Sequence, residues 1–302
     1  MDEHTIFKSG FVAILGRPNV GKSTLLNKIL GQKVAIVTPK PQTTRTRILG
    51  ILHGENYQIV FVDTPGIHSP VHRLGEVLVE NALRSARDSD INLFMLDAED
   101  GITCDDIEAI EKVYRKSHAP LIMTINKIDL RPNLNIDTIA NEISLIHKAE
   151  AIIAISALDG TNVNALVEKV LAVLPEGPPF FENDTITDQS DAEIAAEAIR
   201  EKIMLELYQE VPYQTAVEIE TIEPSENNAE ILVIRANILV ARPGQKALVL
   251  GKDGNRIKSI GIAAREELEK IFEQKVFLEL WVKVKPDWFK KDRIISDLGY
   301  KR

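Results

Sequence analysis

The stretch GRPNVGKS, Gly16 to Ser23, constrains the fold of this 302-residue chain more than any other. It fits the spacing G-x-x-x-x-G-K-[ST], directly after the apolar run FVAIL (11–15) and directly before a helical pattern from Lys22 to Leu30 that Gly31 closes. A glycine-rich loop between a strand and a helix N-terminus turns its backbone N–H groups and the positive end of the helix dipole toward an anion. The spacing predicts that the loop Gly16, Arg17, Pro18, Asn19, Val20 and Gly21, with Thr24 behind it, surrounds phosphates. Lys22 is then expected to reach the β and γ oxygens, and the Ser23 hydroxyl to ligate magnesium.

The surroundings extend this reading. The runs QIVFV (58–62), INLFML (91–96), PLIMTI (120–125) and AIIAI (151–155) are continuously apolar, as parallel strands covered on both faces are, and helical patterns such as Ile107 to Ser117 lie between them. This is the order of an α/β doubly wound sheet, whose ligands gather at the carboxyl ends of the strands. It predicts a nucleotide-binding domain over residues 1–175. The stretch LPEGPPFFENDTITDQSD has prolines and turn-formers without periodicity, so 176–190 reads as an inter-domain linker. Ser190 and Glu193 form a capping-box pattern that opens a helix through about Gln209. Two strand runs, TAVEIETI and AEILVIRANILVA, follow. Then come helical QKALVLG, the turn GKDG, a helix from Asn255 to about Phe272, and the strand VFLELWVKV. The order α-β-β-α-α-β defines a smaller α+β domain over 191–285, with 286–302 as a C-terminal tail.

Asp63 ends the second of the continuous runs, where the second acidic element of a phosphate-loop enzyme stands, and is expected to hold magnesium. Within DTPG, Asp63, Thr64, Pro65 and Gly66, the Gly66 N–H is positioned to sense a γ-phosphate. Ile67 follows where many phosphate-hydrolysing switches carry a water-positioning Gln, and a hydrocarbon cannot orient water. His68 is the local alternative for that task. The loop KPQTTRTR (40–47) offers a threonine to close over magnesium, Thr44 first and Thr43 next. NKID places Asn126 as a tie to the phosphate loop, Lys127 along the base, and Asp129 as acceptor of the two guanine N–H donors that adenine lacks. Ser156 and Ala157 end the last run, with their backbone N–H groups, Ala157 above all, facing guanine O6. The implied cofactors are GTP or GDP and Mg2+.

Charge separates the two halves. The whole chain carries 36 basic and 45 acidic residues, a net of −9, yet residues 235–302 hold 16 basic and 9 acidic, a net of +7, leaving −16 for the rest. That asymmetry joins an acidic part to one suited to nucleic acid or a membrane surface. Inside the basic part, Gly251 and Gly254 allow close approach of a nucleic-acid backbone. Lys252, Arg256 and Lys258 add charge, and Asp253 and Asn255 complete the turn. A G-x-x-G turn between two helices in this element order is the single-strand RNA clamp of a KH domain. The single cysteine, Cys104, allows no internal disulfide and reads as an inert loop or packing residue. The N-terminal sequence lacks the pattern of a secretory signal and no apolar run is long enough to span a bilayer, so the chain reads as cytoplasmic.

Taken in order, GRPNVGKST, PQTTR, DTPG, NKID, SA and GKDGNRIK resemble the Era-type GTPases with a C-terminal KH domain, from Gly10 to about Lys285. The resemblance implies a GTP-controlled factor that binds the 3′ end of 16S ribosomal RNA and assists 30S subunit maturation, with peripheral association at the inner membrane. Ile67 fits that family, whose members lack the catalytic Gln. Related GTPases with an Asn at the position of Asn19 use potassium, so Asn19 joins Lys22 and Thr44 as a candidate for catalysis, with K+ as a candidate cofactor. Two other readings remain: an RNA-binding assembly protein holding GTP without hydrolysing it, and a phosphate-loop kinase, which Asp129 and the lack of an acceptor site disfavour.

Overall fold

The computed structural model describes residues 6–133 and 135–300. The chain divides into two compact units, the first ending at Asp188 and the second beginning at Gln189, with His72–Leu74 grouped with the second.

In the first unit β1 (Lys8–Gly16), α1 (Lys22–Leu30), β2 (Ile48–Gly54), β3 (Tyr57–Asp63), α2 (Arg73–Asp88), β4 (Ile91–Asp97), α3 (Cys104–Lys116), β5 (Leu121–Asn126), α4 (Ile136–Ile146), β6 (Ala151–Ala154) and α5 (Val163–Val173) follow in sequence. The sheet runs β2-β3-β1-β4-β5-β6, parallel except for β2, which pairs antiparallel with β3. Alternate residues of β1 serve opposite cores: Val12 and Ile14 pack on one face, Ala13 and Leu15 on the other. This is why the run is apolar throughout. The chain leaves β1 between β3 and β4, so the loop after Gly16 sits at the point where strand order reverses, the natural ligand crevice of such a sheet.

The segment read as a linker is part of this unit up to Asp188. Ser9 N–H donates to Pro175 O, Gly177 N–H to Phe7 O, and Ile51 N–H, on the edge strand, to Ile186 O. The buried Gln58 amide binds Phe181 O and the N–H groups of Phe180 and Phe181. Phe181 packs against Leu49, Ile51, Val60 and Val62. Proline-rich sequence lacks periodicity, yet its aromatics and carbonyls cover the edge and face of a sheet that would otherwise stay open.

The second unit consists of α6 (Asp191–Glu206), β7 (Thr215–Ser225), β8 (Asn228–Val240), α7 (Pro243–Leu250), α8 (Asn255–Ile271), β9 (Lys275–Val284) and α9 (Asp292–Asp297). Its sheet runs β7-β8-β9, with β7 antiparallel and β9 parallel to β8. The Ser190–Glu193 capping box forms, but α6 stops at Glu206, three residues short of the expected end. Residues 286–300 are not a loose tail. Trp288 is fully buried, its indole N–H donates to Gln214 O, and its ring stacks on Tyr300.

Candidate functional site

The loop after β1 opens α1 without a side-chain cap: Gly21 stands at its N-terminus with φ +101, and Leu25 N–H returns to Gly21 O. A cavity of about 300 Å3 lies against the loop, lined among others by Pro18, Asn19, Gly21, Lys22, Ser23, Thr24, Thr44 and Gly66. Gly66 is a position where only glycine fits, since a Cβ there would stand 2.5 Å from Pro18 N.

Three sequence-predicted oxygens meet beside Lys22. Ser23 Oγ donates to Asp63 Oδ2 at 2.6 Å, Thr44 Oγ1 donates to the same oxygen at 3.2 Å, and the two hydroxyls are 2.9 Å apart. Asp63 is fully buried and its Oδ1 has no hydrogen-bond partner among the described residues. Burial pushes its pKa up, against the bonds from Ser23 and Thr44 and the charge of Lys22. Two hydroxyls and a carboxylate with one unpartnered oxygen form a hard-oxygen set that suits magnesium. Thr43 turns elsewhere, bonding Lys40 O and Thr38 Oγ1, so Thr44 is the threonine with the geometry. Lys22 Nζ donates to Gly16 O and Arg17 O. Burial lowers its pKa to about 8, opposed by the charge of Asp63.

The base-side loops interlock. Asn126 Nδ2 donates to Val20 O at 2.7 Å, and Asn126 Oδ1 accepts from Ala157 N–H at 2.9 Å. One side chain thereby joins the loops after β1, β5 and β6. Lys127, at φ +68, lines the cavity and pairs with Asp97 at the end of β4. Asp129 is exposed on the short turn Ile128–Leu130. Ser156 is buried, its Oγ accepting from Asp159 N–H.

Several residues of the recognised motifs also make protein contacts that their spacing does not reveal. Ala157 N–H, expected to face guanine O6, donates to Asn126 Oδ1 in this structure. Ile67 packs in the core with Ala13 and Leu15, and its N–H is held by Gly16 O. Thr64 donates to Ile14 O from a fully buried position, and Pro65 is buried beside it without lining the cavity. The Val20 side chain is in the core, and its carbonyl accepts from Asn126. Arg17 points its guanidinium at Asp106 and Asp100, and these partners outweigh burial to raise its pKa. Residue type and spacing mark a loop, but the direction of each side chain depends on neighbours distant in sequence.

The motifs in the sequence do not single out Asp97 or Gln42. A carboxylate closing a continuous apolar run was the available signal for Asp97, the same one that picked out Asp63. Gln42 lay inside a loop already singled out for its threonines. Asn19, at φ +65, donates through Nδ2 to Pro39 O, bridging the phosphate loop to the loop that carries Thr44.

In the second unit, α7 ends at Leu250 and α8 begins at Asn255, with Gly251 to Gly254 making the turn between them. Gly251 and Gly254 have φ +74 and +75, and a Cβ on Gly251 would stand 2.7 Å from Arg256 Cβ. Asp253 also has positive φ. Lys252, Asp253, Asn255 and Lys258 are exposed, while Arg256 donates to Leu248 O at the end of α7. The turn presents backbone, flanked by cations, to solvent.

Comparison with known proteins fits both constructions. A model of 50S ribosome-binding GTPases matches residues 11–127 and a KH-domain model matches 210–289. GTPase Era of Thermotoga maritima is 47% identical over 296 residues, covering 97% of this chain and 98% of that protein. The chain belongs to the GTPase Era family. GTPase Era of Caldanaerobacter subterraneus is 44% identical over 294 residues, 97% of this chain and 98% of that one. A crystal structure of Era in complex with MgGDPNP and nucleotides 1506–1542 of 16S ribosomal RNA aligns with TM-score 0.95 and 45% identity over 98% of this chain and all of that one. A point variant of Aquifex aeolicus Era bound to GDP and AlF4− aligns with TM-score 0.95 and 44% identity, over the same shares of the two chains. The chain is thus a GTP hydrolase of the Era type with a KH domain. No helix among the described residues is long and apolar enough to cross a membrane.

Proposed function

We propose that this chain hydrolyses GTP at the loops after β1, β3 and β5, and that its nucleotide state governs binding of the 3′ end of 16S ribosomal RNA by the GKDG turn during 30S subunit assembly. The observation that carries the nucleotide half is the meeting of Ser23, Thr44 and Asp63 beside Lys22. The RNA half is supported by the glycine-framed turn with Lys252, Arg256 and Lys258, and by the RNA held in the related Era complex. The net charge of +7 over 235–302 supports peripheral contact of this half with anionic inner membrane as a further property.

In this reading Lys22 exchanges its loop carbonyls for β and γ oxygens, the loop N–H groups orient the phosphates, and Asp129 accepts the guanine donors. Magnesium, held by Ser23, Thr44 and Asp63, would supply positive charge to the β–γ oxygens. The Asn19 bond to Pro39 leaves an amide oxygen on the phosphate loop, and potassium held there in part would add charge where it accumulates in the transition state.

Single-turnover hydrolysis in the presence of the cognate RNA tests the reading. Potassium is expected to exceed sodium at equal ionic strength, and Asn19→Ala to abolish the difference. Equal rates in the two salts overturn the potassium role. GTP binding without phosphate release overturns hydrolysis and leaves the non-hydrolysing assembly protein.

A further inference from the structure

Hydrolysis needs a group that holds the attacking water in line with the γ-phosphorus, and Ile67 is packed in the core. Gln42 lines the same cavity as Lys22, Ser23, Thr44 and Gly66. Its backbone is left-handed, φ +57, a conformation disfavoured for a residue with a Cβ and retained where the surroundings impose it. Its amide Nε2 lies 3.2 Å from His68 Nε2, while His68 Nδ1 lies 2.9 Å from Gly66 O. A carbonyl only accepts, so Nδ1 carries the proton of the neutral ring. Nε2 then offers a lone pair, and the group facing it must be the amide NH2 of Gln42. Gly66 O sets the tautomer, and the tautomer sets the amide. Gln42 Oε1 is left buried with no hydrogen-bond partner among the described residues. A buried amide oxygen in that condition is unfavourable unless a donor binds it in the working cycle.

We propose that Gln42 Oε1 accepts a hydrogen bond from the attacking water and is a catalytic residue of the hydrolysis, with His68 the positioning residue that orients its amide. The water oxygen bonds to the γ-phosphorus as the bond from that phosphorus to the β–γ bridging oxygen breaks. The electron pair leaves on GDP, and the water proton passes to a phosphate oxygen. The amide takes up no proton, which suits a reaction whose loose transition state asks for positioning more than for a base. The orienting amide that other switches carry just after DTPG is supplied here from the loop before Thr44.

The proposal rests on hydrolysis at this site, and its test uses the full chain with MgGTP, potassium and an RNA of the 3′-terminal 16S sequence. Gln42→Ala is expected to slow single-turnover hydrolysis by about tenfold or more, the scale of one hydrogen bond made in the transition state. Affinity for the non-hydrolysable analogue GDPNP should stay within about twofold, and the complex with GDP and aluminium fluoride should no longer form. Gln42→Met, which keeps the side chain's length, should behave alike. His68→Ala should cause a smaller loss of rate through a disoriented amide, with GDPNP affinity unchanged. An unchanged rate in both Gln42 variants overturns the proposal, as does a loss of rate matched by an equal loss of GDPNP affinity, which marks a structural role. Absence of turnover in the unaltered protein overturns this proposal and the hydrolysis reading together, whereas wild-type turnover undiminished by the Gln42 changes overturns this one alone.

Discussion

The nucleotide loops of the first unit and the GKDG turn of the second are built in opposite ways. The nucleotide site is assembled from residues far apart in the chain: Ser23 meets Asp63 across 40 positions, and Asn126 meets Val20 across 106. Thr44, Asp63 and Asn126 are buried, and Ser23, Thr44 and Asp63 are bonded to one another. The GKDG turn and the start of α8 are eight consecutive residues, none of them buried, whose shape follows from two glycines between helices. A preorganised, low-dielectric site gives each contact a large effect and makes changes interdependent. An exposed cationic turn acts through screened charges, each worth little and close to additive.

The sharpest way to test that contrast is Asp129→Asn. Guanine recognition depends on one carboxylate matched to two donors, so GTP affinity is expected to fall by up to roughly ten thousandfold, with preference moving toward xanthosine triphosphate. Competitive titration measures both, and unchanged GTP affinity removes Asp129 from the site. Next in size is Asn126→Ala, which leaves Val20 O and Ala157 N–H without their partner in the interior. A loss of about 2–4 kcal/mol in urea-unfolding stability of the first unit is expected, with weaker nucleotide binding. A stability change inside experimental error breaks the claim that the loops are interlocked. The smallest effect per residue is expected in the turn. Lys252→Glu and Lys258→Glu should each weaken RNA binding by about 1–2 kcal/mol, reduce the salt slope by about one, and leave GTP affinity intact. Strong non-additivity of the double variant would show that the turn is as cooperative as the nucleotide site.

The two regions also differ in how they could be read from sequence. GKDG between helical patterns locates its turn directly, because all determinants are neighbours. The phosphate-loop spacing, DTPG and NKID located the loops after β1, β3 and β5, but not where their side chains point. Arg17, Thr64 and Ile67 sit inside recognised motifs, yet one faces Asp106, one a strand carbonyl, and one the core. The edge strand β2 escaped the reading because Gly50, His53 and Gly54 interrupt its apolar run. Gly50 stands there because Leu26 and Leu30 of α1 fill the space a side chain would need.

Sequence by itself determined the two domain types, most of their elements, the glycine-rich loop after β1 and the glycine turn between α7 and α8, since each follows from local conformational preference, periodicity and residue type. Tertiary structure alone decided that Thr44 rather than Thr43 faces Asp63, that Asn126 takes the Ala157 N–H, that 176–188 clothes a sheet, and that Trp288 anchors the C-terminal residues. The physical reason is common to all four. A polar group or aromatic ring has several chemically equivalent partners within its own segment, and only packing against distant parts of the chain, which removes water from some of them, selects the one it keeps.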